Sequence, residues 1–550
     1  MSARFPWQPR LVAASALVLA LVPACGSGSH GGSSAPDAST DGSFSTDATG
    51  GHEGSSGDGS TGVDAALDAA GADANGTGDA PSDAALDGLD ASLDGGAGGH
   101  AIGPGFFGMH TNTYGNGFVF GAERLWDSGT GWSQLQTAAT TYDFTPLQSR
   151  VADATKGGFD LLFTWGRTPP SFAAKSSVTC DYGNDGQCDP PDDVATDGTG
   201  TDAHAKAFWT QLMTTMCTGT APDKTCGPLK YFEMWNEPNA DQFWSGTYAQ
   251  LARMGSDAAA IIKGQCKSCV VLTPGVACGG DGYHANGDSG QCQLWAAAYL
   301  QAWKTLSPNL LPDAGAWHPY PAHTNVIPSP FPETNVSTWD TCAQDAGDAP
   351  SCTCKAAFVP NPECRYSVVD QIQVLRGVFD QNGLAGKPMI ATEGSWNEVK
   401  NLPDPDLQAA FLARWYLVQA GAGVEAAYWY AEDATVSNGG WGRLLTSPEA
   451  GAPVPNPAGT AYEQLHEWLV GGSIAPCTPA GTVWSCAVVD PSGKPGTILW
   501  DTAESCATGT CTTHPQAVAA SYQSVTDLAG QTQAIQGHEV AIGAKPVLAR

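Results

Sequence analysis

YFEMWNEPNA, residues 231–240, opens on an apolar run and halts at Trp235-Asn236-Glu237-Pro238. The run KYFEMW has the composition of a buried strand, and Pro238 ends it because proline has no N–H to give to a ladder. Glu237 is therefore expected where a strand leaves the core and meets a cleft. A carboxylate in that position is either solvated or put to use.

Seven similar runs surround it: GFFGMH (105–110), AERLW (122–126), FDLLFTW (159–165), SCVVLTPG (268–275), AGAWHPY (314–320), KPMIATEG (387–394) and VEAAYWY (424–430). Between most of them lie stretches with apolar residues three or four apart, such as TPLQSRVADATKGG, YAQLARMGSDAAAIIKG and LQAAFLARWYLVQAG, which predict helices. Continuous apolar strands followed by helices imply a parallel sheet covered on both faces. Eight such strands predict a (β/α)8 TIM barrel over 101–470, with a doubly wound sheet as the other arrangement of the same elements. The first crossover, Thr111 to Gly121, is short and Gly-rich, which makes strand one the weakest element of the pattern. After a last helix, GTAYEQLHEWLVGG, the pattern becomes TVWSCAVV, GTILWD, AVAASY, QAIQGHEVAI and KPVLA with turn residues between. Residues 471–550 are accordingly expected to form a small antiparallel β-sandwich.

The N-terminal hundred residues have another character. Arg4 and Arg10 precede an apolar stretch, LVAASALVLALV, and then Pro23-Ala24-Cys25. About a dozen apolar residues are too few to span a bilayer, so residues 1–25 are expected to be a signal peptide. Its end resembles a bacterial lipobox, which implies cleavage before Cys25 and acylation there; plain secretion is the alternative. Residues 26–100 carry 13 acids, no Lys or Arg, and hardly an aromatic, the composition of a flexible, disordered acidic linker. Even without it and the signal peptide the remainder holds a net charge of about −20, which argues against nucleic acid or an anionic lipid surface as a partner and leaves a neutral polymer as a natural one. Membrane contact is expected only through a lipid anchor at Cys25.

The chain has 17 cysteines, an even number once Cys25 is set aside. Most are near neighbours: Cys180/Cys188, Cys217/Cys226, Cys266/Cys269, Cys278/Cys292, Cys477/Cys486 and Cys506/Cys511, with Cys342, Cys352, Cys354 and Cys364 as a group of four. Close pairs in an exported chain read as disulfide staples of loops. A zinc site at Cys266 or Cys352 has no second CxxC or Cys/His pair at the necessary spacing. The insert CDYGNDGQCDPPDD (180–193) is rich in acids but lacks the spacing of an EF-hand loop. No cofactor or metal is expected.

In a barrel the reactive groups stand at the carboxyl ends of the strands. Glu237 ends the fourth run and Glu393, in PMIATEGSWN, ends the seventh. These strands lie across the barrel mouth, so the two carboxylates can approach one bound group from opposite sides. Here the chain from about 101 to 550 resembles the clan of (β/α)8 retaining glycoside hydrolases whose catalytic glutamates end strands four and seven. Within it, the β-xylosidase/α-L-iduronidase family (family 39) is most similar, because it also appends a β-sandwich. Asn-Glu-Pro is the clan's acid/base signature, and TEGSW resembles its nucleophile motif.

The resemblance implies an O-glycosyl hydrolase that acts on a β-linked polysaccharide or oligosaccharide, with Glu237 as acid/base and Glu393 as nucleophile. It implies Asn236 on the sugar 2-hydroxyl, and His318 and Tyr320 beside the nucleophile. Arg124, at the end of run two, is expected to hold the nucleophile's carboxylate ionised. His110 is a candidate contact to the bound sugar. Trp126, Trp165, Trp396, Trp429 and Trp441 fall at or just after strand ends, where an aromatic plane could carry a sugar ring, and Trp429 is the expected floor. The rival readings are a non-catalytic carbohydrate-binding surface protein on the same barrel and a transglycosylase.

Overall fold

A computed structural model describes residues 99–111, 118–175, 177–181, 185–278, 292–320, 332–333, 367–396, 402–432, 441–446, 453–507 and 509–550. The expected signal peptide, Cys25, nearly all of the linker and the group of four cysteines lie outside the described residues.

Nine parallel strands form one curled sheet. In chain order they are β1 (Phe107–Met109), β2 (Ala122–Leu125), β3 (Asp160–Thr164), β4 (Leu229–Glu233), β5 (Val270–Leu272), β6 (Val276–Cys278), β7 (Gly315–Pro319), β8 (Met389–Ala391) and β9 (Ala426–Trp429), and their order in the sheet is β5-β4-β3-β2-β1-β9-β8-β7-β6. Each of the eight apolar runs supplies a strand. The two ends of the sheet, β5 and β6, are consecutive in sequence and separated by Thr273-Pro274-Gly275. The long helices around the sheet are α1 (Thr145–Gly157), α2 (Ala203–Met216), α3 (Tyr248–Gln265), α4 (Cys292–Leu306), α5 (Val368–Phe379), α6 (Pro405–Gly421) and α7 (Pro457–Leu469). Their ends follow the local chemistry. Thr247 caps α3 by accepting from Gln250 N, Asp404 caps α6 ahead of Pro405, and Gly158 closes α1 in the left-handed region.

The side chains inside the sheet are mostly aliphatic, with Tyr231 packed at their margin. Ala122, Leu162, Leu272, Ala314, Ala316, Ile390 and Ala426 pack there with Tyr428. Tyr428 is fully buried, and it fits because Gly108 on the neighbouring strand presents no side chain; a Cβ there would lie 2.5 Å from the ring. Successive residues of a strand face opposite sides, so the residues two further along from this layer form the next layer above it. Arg124 follows Ala122, Thr164 follows Leu162, Glu233 follows Tyr231, His318 follows Ala316, Thr392 follows Ile390, and Tyr430 follows Tyr428. An apolar floor thus carries a polar storey.

Residues beyond α7 form antiparallel sheets, the larger built around Val483–Val489 and Pro495–Asp501. That sheet also takes in a strand from the other end of the described chain. His100–Ala101 pairs with Ser473–Ile474, and Ile102 N donates to Gly472 O at 2.9 Å. The six expected local cysteine pairs, from Cys180–Cys188 to Cys506–Cys511, are all disulfide-bonded. Among the described residues no helix is long and apolar enough to cross a membrane.

The fit of Tyr428 over Gly108 is testable. Gly108→Ala should lower stability by about 1–3 kcal/mol through overpacking, read as a fall in the urea midpoint. Tyr428→Leu in the same chain should recover part of the loss. A wild-type midpoint for Gly108→Ala would remove the ring as the wall of that space.

Candidate active site

The polar storey is organised around one cation. Arg124 is 1% exposed. Its Nε donates to Glu233 Oε2 at 2.7 Å, its Nη2 to Asn236 Oδ1 at 2.7 Å, and its Nη1 to Glu393 Oε2 at 2.6 Å. Thr164 Oγ1 donates to the same Glu233 oxygen at 2.8 Å. Burial works against the guanidinium charge, but Glu233 and Glu393 more than offset it and raise its pKa. Arg124, Asn236 and Glu393, from three separate stretches of sequence, thus meet.

Glu393 is gripped from two sides. Tyr320 donates its hydroxyl to Oε1 at 2.6 Å while Arg124 holds Oε2. Burial pushes the Tyr320 pKa well up, so the phenol stays a donor. Glu237 lies opposite. Trp235 and Glu237 have φ of 122° and 42°, a left-handed backbone that non-glycine residues adopt at a cost of roughly 1–3 kcal/mol each. Gly275 holds this turn, taking a bond from Glu237 N at 2.8 Å and giving one to Trp235 O at 3.2 Å. The turn points the Glu237 side chain at His318, whose Nδ1 is 2.8 Å from Glu237 Oε1 and 3.8 Å from Glu393 Oε2. Glu237, His318 and Glu393 each contribute an atom to a group whose members all lie within 4.8 Å of one another.

The environment treats the two acids differently. Burial raises the Glu237 pKa to about 7, and Asp181, Glu233 and Asp127 add to the rise against the opposing pull of Arg124. Burial also raises that of Glu393, but His318, Arg124 and the Tyr320 hydroxyl pull it back. Two carboxyls this close titrate as a pair. The shared proton belongs on Glu237, because both oxygens of Glu393 are already filled by donors. Burial lowers the His318 pKa to about 4, so its ring is neutral near pH 7.

His110 stands at the same level as Arg124. Its Nε2 is 3.3 Å from Thr392 O, and since a carbonyl only accepts, that nitrogen carries the ring proton. The 3.4 Å approach of Arg124 Nη1 is then a packing contact between two donors. Trp429 is not brought to the cleft. The strand alternation that turns Tyr428 and Tyr430 inward turns Trp429 out, where it is 3% exposed, stacks on Tyr416 and donates to Gly442 O. Trp126, Trp165 and Trp396 are also buried, and Trp441 is half-buried with its ring against Tyr320.

Several residues at the site were not singled out from sequence. Tyr430 packs its ring on His110 and donates its hydroxyl to Asp127 Oδ2 at 3.2 Å, and Arg167 holds Asp127 Oδ1 at 2.5 Å. Glu233 is fully buried beneath them. Its signal was available, because an acid inside KYFEMW, an even number of residues before Glu237, falls on the inward face of an apolar strand.

Neither a protein-family model nor a curated protein sequence matches the chain. Solved structures do. A family 39 glycoside hydrolase from Bacteroides cellulosilyticus WH2 superposes with a TM-score of 0.52 at 17% identity, covering 82% of this chain and 82% of that one. The family 39 enzyme of Xanthomonas axonopodis pv. citri gives 0.51 at 15% identity, covering 82% and 95%. A family 39 β-xylosidase from Caulobacter crescentus gives 0.50 at 16% identity, covering 82% and 97%. The chain has the fold of the family 39 structures.

The electrostatics set a pH dependence of stability. A carboxyl whose pKa is raised on folding stabilises fully below its unfolded value and loses that contribution as pH rises through the folded one. For Glu237 the window runs from 4.5 to about 7. Glu237→Gln should therefore match wild type in urea unfolding at pH 4 and exceed it at pH 8 by roughly 1–3 kcal/mol. Equal differences at the two pH values would contradict the placement of the proton.

Proposed function

We propose that this chain is a retaining glycoside hydrolase that cleaves a β-linked polysaccharide or oligosaccharide by double displacement. The observation that carries the reading is the pair of carboxyls, Glu237 and Glu393, with oxygens within 4.8 Å in one polar cleft and in unequal surroundings. A separation of about 5 Å suits attack by one carboxylate while the other protonates the leaving oxygen, and is too short to seat an attacking water. Closure of the sheet supports the same reading. Leu272 bridges Ala314, and β5 and β6 flank only three residues, so we read them as two halves of one strand in an eight-stranded barrel. Glu237 and Glu393 then follow its fourth and seventh strands.

In this reaction Glu237 arrives protonated and gives its proton to the glycosidic oxygen as Glu393 attacks the anomeric carbon. The aglycone leaves and a glycosyl ester remains on Glu393. The Glu237 carboxylate next takes a proton from water, which attacks the same carbon and releases the sugar with its original configuration. Arg124 and Tyr320 keep Glu393 ionised and aimed. Asn236 is held through Oδ1 by Arg124, so its amide N–H group is the one to offer a 2-hydroxyl. Tyr430 and Trp441 replace Trp429 as the aromatic surfaces available to a sugar, with His110 beside them.

The two acids are separable by experiment. Glu237→Ala should hydrolyse a dinitrophenyl glycoside far better than a natural linkage, and azide should rescue it with retained configuration. Glu393→Gly should lose nearly all activity on both, and azide should give the inverted product, with configuration read by NMR. Reversed behaviour would exchange the roles. Loss of less than roughly tenfold in both variants would move the reaction elsewhere.

We also propose export of the chain with a lipid anchor at Cys25 and a flexible acidic linker over 26–100, ahead of a barrel at 101–470 and a β-sandwich at 471–550. The disulfides support an oxidising compartment. Cys25→Ser should leave the membrane fraction and retain activity in soluble form. Equal release of wild type and variant into the medium would refute the anchor.

A further inference from the structure

Three residues beneath the proposed acid have no part in the scheme above. Glu233 has one oxygen, Oε2, filled by Arg124 and Thr164, while its Oε1 has no hydrogen-bond partner. His318 has Nδ1 on Glu237, while its Nε2 has none. Both side chains are fully buried. The third is Gly275, whose φ lies outside the left-handed region, so the backbone there does not demand glycine. What demands it is proximity. A Cβ on Gly275 would lie 2.4 Å from His318 Nε2 and 2.6 Å from Glu233 Oε1. The two orphaned atoms therefore face one spot and are roughly 5 Å apart at most, a span that a single water bridges.

The chemistry of the pair selects that occupant. Glu233 is an acceptor, tied to Arg124 as a carboxylate. A neutral imidazole that donates from Nδ1 is an acceptor at Nε2. Two buried acceptors need two donated protons, and a water supplies both. Buried polar atoms are seldom left unpaired, and internal waters are the usual remedy where side chains do not reach.

We infer that a water held between Glu233 Oε1 and His318 Nε2, against Gly275, fixes the His318 tautomer and so sets how tightly Glu237 holds its proton. With the water in place, Nε2 accepts, Nδ1 carries the proton, and Nδ1–H donates to Glu237. That bond favours the ionised acid and restrains a pKa that burial drives up. Displacing the water lets the ring proton sit on Nε2, toward Glu233, and leaves a bare Nδ1 that accepts from protonated Glu237. The acid would then hold its proton to higher pH. The other charged groups facing Glu237 are Arg124 from β2, Glu393 from the loop after β8, and Asp127 and Asp181 from loops at the mouth. Gly275→Ala replaces none of them. Glu233, His318 and Gly275 are thus positioning residues, and their role rests on Glu237 being the proposed acid.

Two measurements test this. The first is the pH profile of kcat/KM on a glycoside with a poor leaving group. Gly275→Ala should move the basic limb upward by about half a pH unit or more and leave the acidic limb in place. An asparagine at 318 offers an N–H to Glu237 but has no second ring nitrogen, so in the His318→Asn background Gly275→Ala should move the limb no further. An unmoved limb in Gly275→Ala, or the same shift in both backgrounds, overturns the inference even if activity falls. The second is a high-resolution crystal structure of the wild-type chain. It should show a water within about 3.2 Å of both atoms, and Gly275→Ala should lack it. No such water overturns the inference whatever the activity. A water present in a chain that turns over no glycoside would leave the site standing and remove the hydrolase reading instead.

Discussion

A guanidinium sealed from water has to be answered by whatever surrounds it. Arg124 is answered by Glu233, Glu393 and Asn236, which draws strands β2 and β4 and the loops after β4 and β8 into one knot. The same charge cannot satisfy three acids. With Glu237 beside it, the knot holds three carboxyl groups, one fixed cation and a neutral histidine. A proton reduces the excess, and it settles on Glu237 because Arg124 and Tyr320 already fill both oxygens of Glu393. The remaining net negative charge is complementary to the oxocarbenium-like state that the proposed reaction passes through.

The placement of this knot follows from the sheet's period of two. Apolar residues, Tyr428 among them, fill the lower interior, and each strand's next inward residue stands above them. No loop has to find its way to Arg124, Thr164, Glu233 or His318, because they are carried on strands that are hydrogen-bonded on both sides. Glu237 lies beyond the end of its strand, and its left-handed backbone is held by the Gly275 carbonyl. Strands fix the groups at the base of the knot, and the left-handed turn at Trp235 and Glu237 aims the proposed acid.

Much of this was readable from residues alone. The eight runs became strands because parallel strands covered on both faces are apolar throughout, and a proline or glycine closes most of them. The local cysteine pairs were legible for a similar reason, since short loops leave little choice of partner. Glu237, Glu393, Arg124 and Tyr320 could be named because a strand end is visible in sequence. Trp429 could not be placed, because orientation changes with every residue and a strand end fixes it only to within one position. Tyr430 takes the inward place for that reason. Glu233 escaped notice inside a run read as merely apolar, and Asp127 and Arg167 belong to loops whose course no periodicity records.

The pairing of His100–Ala101 with Ser473–Ile474 bears on the order in which the molecule is completed. Partners more than 350 residues apart cannot meet until nearly all of the chain is available, and β1 likewise waits for β9. Contacts of such sequence separation form late and slowly. A chain emerging from the amino end must therefore pass through a long interval in which His100–Ala101 is unpaired and β1, though paired with β2, keeps one edge exposed. The fold is least protected from proteases and from its neighbours during that interval, and the local disulfides from Cys180–Cys188 to Cys278–Cys292 are covalent constraints able to form before it ends.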